Sequence, residues 1–133
     1  MISTFDVLPQ YTLEDFFYGE GSDFFTQNPS YTFGFTYHNE GVRLNLYPNK
    51  LADGWYLGTL SSLPNVVRDT SWYTVTTYFG MGLDFYNLQG MYEQYECHLH
   101  FAWPFFMNEV DWNLEQWRPC VGLVDTVAAS CNP

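Results

Sequence analysis

Positive charge is what this chain has least of. Its 133 residues hold 4 Lys and Arg against 15 Asp and Glu, a formal net charge of −11. A phosphate backbone repels such a surface, so nucleic-acid binding is disfavoured. Anionic membranes are disfavoured on the same ground. Long apolar runs are missing too. Nothing approaches the ~20 apolar residues of a membrane helix, so membrane insertion is not expected. No basic segment followed by an apolar run opens the chain, so no leader is visible. Cysteine is scarce: Cys97, Cys120 and Cys131 stand alone, with no Cys-x-x-Cys spacing. That spacing argues against a structural zinc site or a thioredoxin-type motif. No Gly-x-Ser-x-Gly elbow is present, and no cofactor is implied.

What the chain does have is aromatic bulk. Aromatic residues make up 21% of it and hydrophobic residues 47%, which describes one globular domain with a real core. The acidic excess keeps such a chain in solution. It also suits a cationic partner, as an inhibitor or immunity-type protein would have.

Residues 1–29 read as an irregular acidic aromatic arm. Thr12, with Asp15 three positions on, could cap a short helix to Tyr18; an extended strap over the core is the alternative. Residues 30–133 read as a single α+β domain: a small antiparallel sheet, two or three helices and one disulfide. Tyr31, Phe33, Phe35 and Tyr37 alternate with small polar residues, the mark of a half-buried strand. After the turn His38-Asn39-Glu40-Gly41, Val42, Leu44 and Leu46 alternate again, which predicts a hairpin with Arg43 and Asn45 on the other face. Asn49 to Gly54 reads as a loop, and Trp55 to Leu60 as a short strand or the start of a helix. Ser71 to Phe79 is rich in β-branched and aromatic residues and predicts a strand. Val121 to Ser130 predicts a short helix packed by Val124, Val127 and Ala128.

Asn87 to Ala102 fits two templates. Leu88, Met91, Tyr92, Tyr95, Leu99 and Ala102 share a helical face. Tyr95, Cys97, Leu99, Phe101 and Trp103 also alternate strictly. The helical template spans more residues and is preferred. The choice bears on metal binding: His98 and His100 share a face on a strand but diverge by ~200° on a helix. No metal site is therefore expected.

Trp112-Asn113-Leu114-Glu115-Gln116-Trp117-Arg118-Pro119 is the densest stretch. One reading is a plug: Trp112, Leu114 and Trp117 inside, with Arg118 paired to Glu115 or to a neighbouring carboxylate. The other is a ligand platform of Trp112, Glu115, Trp117 and Arg118, with rings for stacking and polar groups for hydroxyls. The plug is favoured. His98 is the catalytic candidate, with Glu115, Glu96 or Asp111 to orient it. The clustered carboxylates Glu93, Glu96, Glu109, Asp111 and Glu115 read first as a solvated acidic face. The cysteines allow one disulfide and one free thiol, or three reduced thiols. Cys97–Cys131 is the preferred pair, since it pins a terminus that otherwise frays.

Gly90-Met91, Gln94-Tyr95, Cys97-His98, Trp112 to Pro119 and the closing Cys131-Asn132-Pro133 together resemble domain of unknown function 2599. That is a family of small, secreted, mostly actinobacterial proteins. Glu40-Gly41-Val42-Arg43-Leu44 with Tyr47-Pro48 resembles its first strand. The likeness spans about residues 31–133. Gln116 stands where the family has proline, Cys120 is extra, and residues 1–29 lie outside the pattern. The resemblance implies secretion and a Cys97–Cys131 bond, and no activity. The expectation is a secreted, disulfide-stapled binding or interaction domain whose partner is an unidentified protein or glycan. The alternatives are a small hydrolase using His98 with Glu115 or Asp111, and a cytoplasmic acidic inhibitor of a cationic partner.

Overall fold

The predicted hairpin forms: β1 (Gly34–His38) pairs antiparallel with β2 (Gly41–Leu46), Asn39 and Glu40 making the turn. A third strand, β3 (Trp112–Glu115), joins the far side of β2, also antiparallel, giving the order β1-β2-β3. The structure is a computed structural model, and it describes residues 10–49, 64–102 and 111–133. Trp55 to Leu60 and Trp103 lie outside the described residues.

Five helices surround this sheet among the described residues, against the two or three expected. They are α1 (Leu13–Phe16), α2 (Asp23–Gln27), α3 (Pro64–Phe79), α4 (Leu88–Cys97) and α5 (Leu123–Ala128). The extra ones are the two short turns before residue 30. In α1 the Asp15 carboxylate accepts the Thr12 N–H at 2.7 Å, closing the cap. Leu13, Phe16 and Phe17 are buried in the core. Phe17 bridges Pro48 across an antiparallel contact, and Tyr18 N–H donates to the Tyr47 carbonyl at 2.9 Å. This stretch is thus laced to the end of β2.

The strand expected over Ser71 to Phe79 is instead part of α3. Pro64 is its first residue, where proline's missing N–H costs nothing. Val67, Ser71, Thr74 and Val75 recur at helical spacing and are all buried. The hydroxyls of Ser71 and Thr74 donate back to the carbonyls of Val67 and Ser71, both at 2.7 Å. A β-rich composition is accommodated because burial and these internal bonds outweigh a propensity worth under ~1 kcal/mol per residue.

The Leu88–Ala102 ambiguity resolves as helix. α4 runs to Cys97 and continues as a π-helical turn, His98–Ala102. Tyr95 sits fully buried among Phe17, Trp72 and Trp112, with ring centroids 6.3, 5.0 and 5.9 Å away. Its hydroxyl shares a short hydrogen bond with Ser71, and burial raises its pKa. α5 forms as predicted but on another face. Val124 is 82% exposed, and Thr126 is the residue that faces inward. Thr126 donates to the Gly122 carbonyl at 2.7 Å, and its own carbonyl receives the Cys131 N–H at 2.9 Å. The helix is held by these bonds and by the bond between Cys97 and Cys131, so it needs no apolar stripe. Cys120 is a free, exposed thiol. Burial and the Glu93 carboxylate, 3.4 Å away, raise its pKa.

Gly90 has a specific reason to be glycine. Asn87, in the left-handed region at φ 58°, folds its amide across the first turn of α4. From there Nδ2 donates to the carbonyls of Gln116 and Arg118 at 2.8 and 2.7 Å. A Cβ on Gly90 would lie 2.5 Å from the Asn87 side chain. Gly90→Ala is therefore expected to destabilise the protein, although alanine normally favours a helix interior by about 1 kcal/mol. A chemical-denaturation curve showing a gain in stability would refute this.

Candidate functional site

β3 carries the site that the sequence singled out. The strand alternates: Trp112 and Leu114 face the core, and Asn113 and Glu115 face the other side with Arg43, Asn45 and Thr36. Trp112 is 2% exposed, and His98 stacks on its ring at 5.8 Å and 15°. Of the proposed platform residues, Trp112 and Glu115 are therefore inside. Only Trp117 and Arg118 offer surface.

Glu115 is the centre of the arrangement. It is 4% exposed, yet both carboxylate oxygens are occupied. Arg43, its partner in the β2–β3 register, reaches Oε2 through Nε and Nη2 at 3.0 and 2.7 Å. Arg118 reaches Oε1 through Nε at 2.6 Å. Trp117 lies against this pair, with the Arg43 guanidinium 6.0 Å from its ring centroid and His38 edge-on at 5.7 Å. A Cβ on Gly41 would come within 3.4 Å of the same indole. Two guanidiniums on one carboxylate leave a local charge of about +1 on an acidic protein.

Gln94 completes the lock from the opposite side. Fully buried on α4, its amide donates to the Glu115 carbonyl at 2.9 Å and accepts the Glu115 N–H at 2.8 Å. A side chain thus supplies the two backbone bonds that a fourth strand would have made at this position. Asn87 holds the next turn, as described above. The segment Trp112 to Arg118 is gripped from β2, from α4 and from the loop before α4.

The helical course of His98–Ala102 separates the two histidines. His98 goes to the core. His100 goes to a second charged cluster that the sequence did not reveal, between α3 and α4. There Arg68 pairs with Asp69 at 2.8 Å and with Glu96 at 2.7 Å, its side chain 17% exposed. Tyr92 lies 5.9 Å beneath the Arg68 guanidinium, and burial raises the Tyr92 pKa. The sequence signal for it is Glu96 and His100 at four-residue spacing on a continuous helix; Arg68-Asp69 precedes Ser71 to Phe79, whose composition is strand-like. Asp111 is half-buried and acts electrostatically on Tyr47. Among the described residues, no group of three or more His, Cys, Asp or Glu side chains could hold a metal ion.

Burial pushes the His100 imidazole below its ordinary 6.5; Glu96 and Asp69 oppose this, and Arg68 reinforces it. The folded protein keeps His100 neutral at a pH where the unfolded chain takes up a proton. Its contribution is therefore complete above 6.5 and is lost as the pH falls below that value. His100→Asn should flatten the loss of stability between about pH 7 and pH 5. Equal slopes for the two proteins in denaturation at both pH values would rule this out.

A family model described as protein of unknown function (DUF2599) matches residues 35–133. No curated protein and no solved structure matches the chain.

Proposed function

The chain belongs to the DUF2599 family, proteins of unknown function, and from that premise we propose a non-catalytic binding domain that works in an oxidising, extracellular setting. The observation that carries this reading is that His98 and Glu115, the first pair the hydrolase alternative names, are committed to architecture. Cys97 is in a disulfide, Glu115 is neutralised between Arg43 and Arg118, and His98 is stacked beneath Trp112. His98 stacks on Trp112 at the core face of β3 whereas Glu115 lies on the other face, so the pair that would orient a general base is not assembled.

The disulfide supports the oxidising setting. A disulfide persists where the surroundings are oxidising. No helix among the described residues is long and apolar enough to cross a membrane. The surface also carries the side chains that binding faces use. Tyr37 is 82% exposed, Tyr86 is strongly exposed, and Tyr31, Tyr73 and Tyr78 are partly so. Tyrosine gives large, rigid contact area at low entropic cost, with a hydroxyl for hydrogen bonding.

The test uses protein exported through an oxidising compartment. Its intact mass should show one disulfide. Incubated with panels of soluble glycans and cationic proteins, it should retain a ligand and return that ligand chemically unchanged. Product formation that His98→Ala abolishes would overturn the binding reading in favour of a hydrolase.

A further inference from the structure

We infer that the groove between α1 and α3 is a saccharide site, for a short pyranose chain that is uncharged or carries amino groups. This rests on the binding-domain reading and names its ligand class. The groove has a volume of about 430 Å³, inside the ~300–1,000 Å³ range of small-molecule sites. It is walled by three tyrosines, Tyr11, Tyr73 and Tyr78. Tyr73, Thr74, Thr77 and Tyr78 come from one face of α3; Glu14 comes from α1 and Tyr11 from the residue before its N-cap Thr12.

Two of the three tyrosines are braced by neighbouring rings. Phe33 meets Tyr78 edge-on at 5.8 Å, and Phe16 backs Tyr11 at 5.7 Å. Rings so held present apolar faces, of the kind that stack on the C–H face of a pyranose, with little ordering cost on binding. The polar groups are open. Among the described residues, the hydroxyls of Tyr11, Tyr73, Tyr78 and Thr77 and the carboxylate of Glu14 make no hydrogen bond. The residues that line the space thus carry donors and acceptors not already used, as a polyhydroxylated ligand requires.

Charge selects among saccharides. Among the described residues no Lys or Arg lines the groove, Glu14 does, and the whole chain carries −11. A uronate would meet repulsion from Glu14 and from the net negative charge, whereas an amino sugar would be attracted to both. An uncharged sugar loses nothing to either effect.

The experiment is a proton–nitrogen NMR titration of the oxidised protein with three disaccharides: chitobiose, its de-N-acetylated form and a digalacturonate. The first two are expected to shift amides of α1 and α3, and the digalacturonate to bind at least about tenfold more weakly. Tyr73→Ala and Thr77→Val are each expected to weaken chitobiose by about tenfold, and Glu14→Gln to remove the advantage of the amino form. Tyr73 is half exposed and Thr77→Val is nearly isosteric, so both variants should keep the parent melting temperature. No shift at α1 and α3 with any of the three sugars overturns the assignment, as does equal binding of the digalacturonate. If a sugar is held but shifts map elsewhere and the variants bind normally, the groove is wrong while the binding reading stands. If the sugar is cleaved, the binding reading itself fails.

Discussion

Replacing Cys97 and Cys131 together by alanine is expected to lower the unfolding free energy by about 3–4 kcal/mol and the melting temperature by roughly 10–15 °C. The two cysteines are 34 residues apart and join the last turn of α4 to the residues just past α5. Cutting the bond frees that loop in the unfolded chain, and the entropy of closing it must then be recovered on folding. The folded side loses as well. Both cysteines are fully buried, and α5 offers only Thr126 to the interior. Without the bond, the hydrogen bond from the Gly122 N–H to Glu93, at 2.9 Å, remains to tie the start of α5 to α4. Cys120→Ser is the control. The thiol is exposed, so the change should stay within about 0.5 kcal/mol. Scanning calorimetry of the three proteins decides; a double variant that melts with the parent would remove the disulfide from any account of stability.

Glu115→Ala should cost about 3 kcal/mol, near the lower end for removing one partner of a buried ion pair. Its two arginines are a third exposed or less, 33% and 28% by side chain, while the carboxylate is 5% exposed. Removing the carboxylate leaves two guanidiniums facing one another across an empty centre. Water reaches them from the exposed side, which limits the penalty. The reverse truncation is milder. Arg118→Ala leaves Glu115 paired with Arg43 and should cost only about 1 kcal/mol. The asymmetry is the point, because it identifies Glu115 as the hub. Urea denaturation of both variants tests it. A loss from Arg118→Ala as large as that from Glu115→Ala would make Arg118, not Glu115, the centre of the lock.

How much of this could be read from the chain depended on how local each interaction is. The hairpin was legible because alternation along a strand reports its two faces directly. Val42, Leu44 and Leu46 against Arg43 and Asn45 needed no knowledge of the partner. α4 was legible because its apolar positions held the helical period over three turns. The Glu115–Arg118 pair was legible because it spans three residues. α3 was not, since its buried hydroxyls and rings carry a strand-like composition. Propensity is weaker than the burial that decides the matter.

The site divides along the same line. The chain alone determined an acidic, aromatic-rich domain, a β-hairpin, a cysteine pair able to close a loop, and a dense segment from Trp112 to Pro119. Tertiary structure decided what that segment does. Arg43 reaches Glu115 from a strand 72 residues earlier. Gln94 reaches Glu115 from α4, and Asn87 reaches Gln116 and Arg118 from the loop before that helix. The tyrosine groove likewise exists only because α1 is laid against α3. Composition and period act through neighbours in sequence. Ion pairs, backbone-mimicking amides and grooves act through neighbours in space, and those are fixed only when the chain closes on itself.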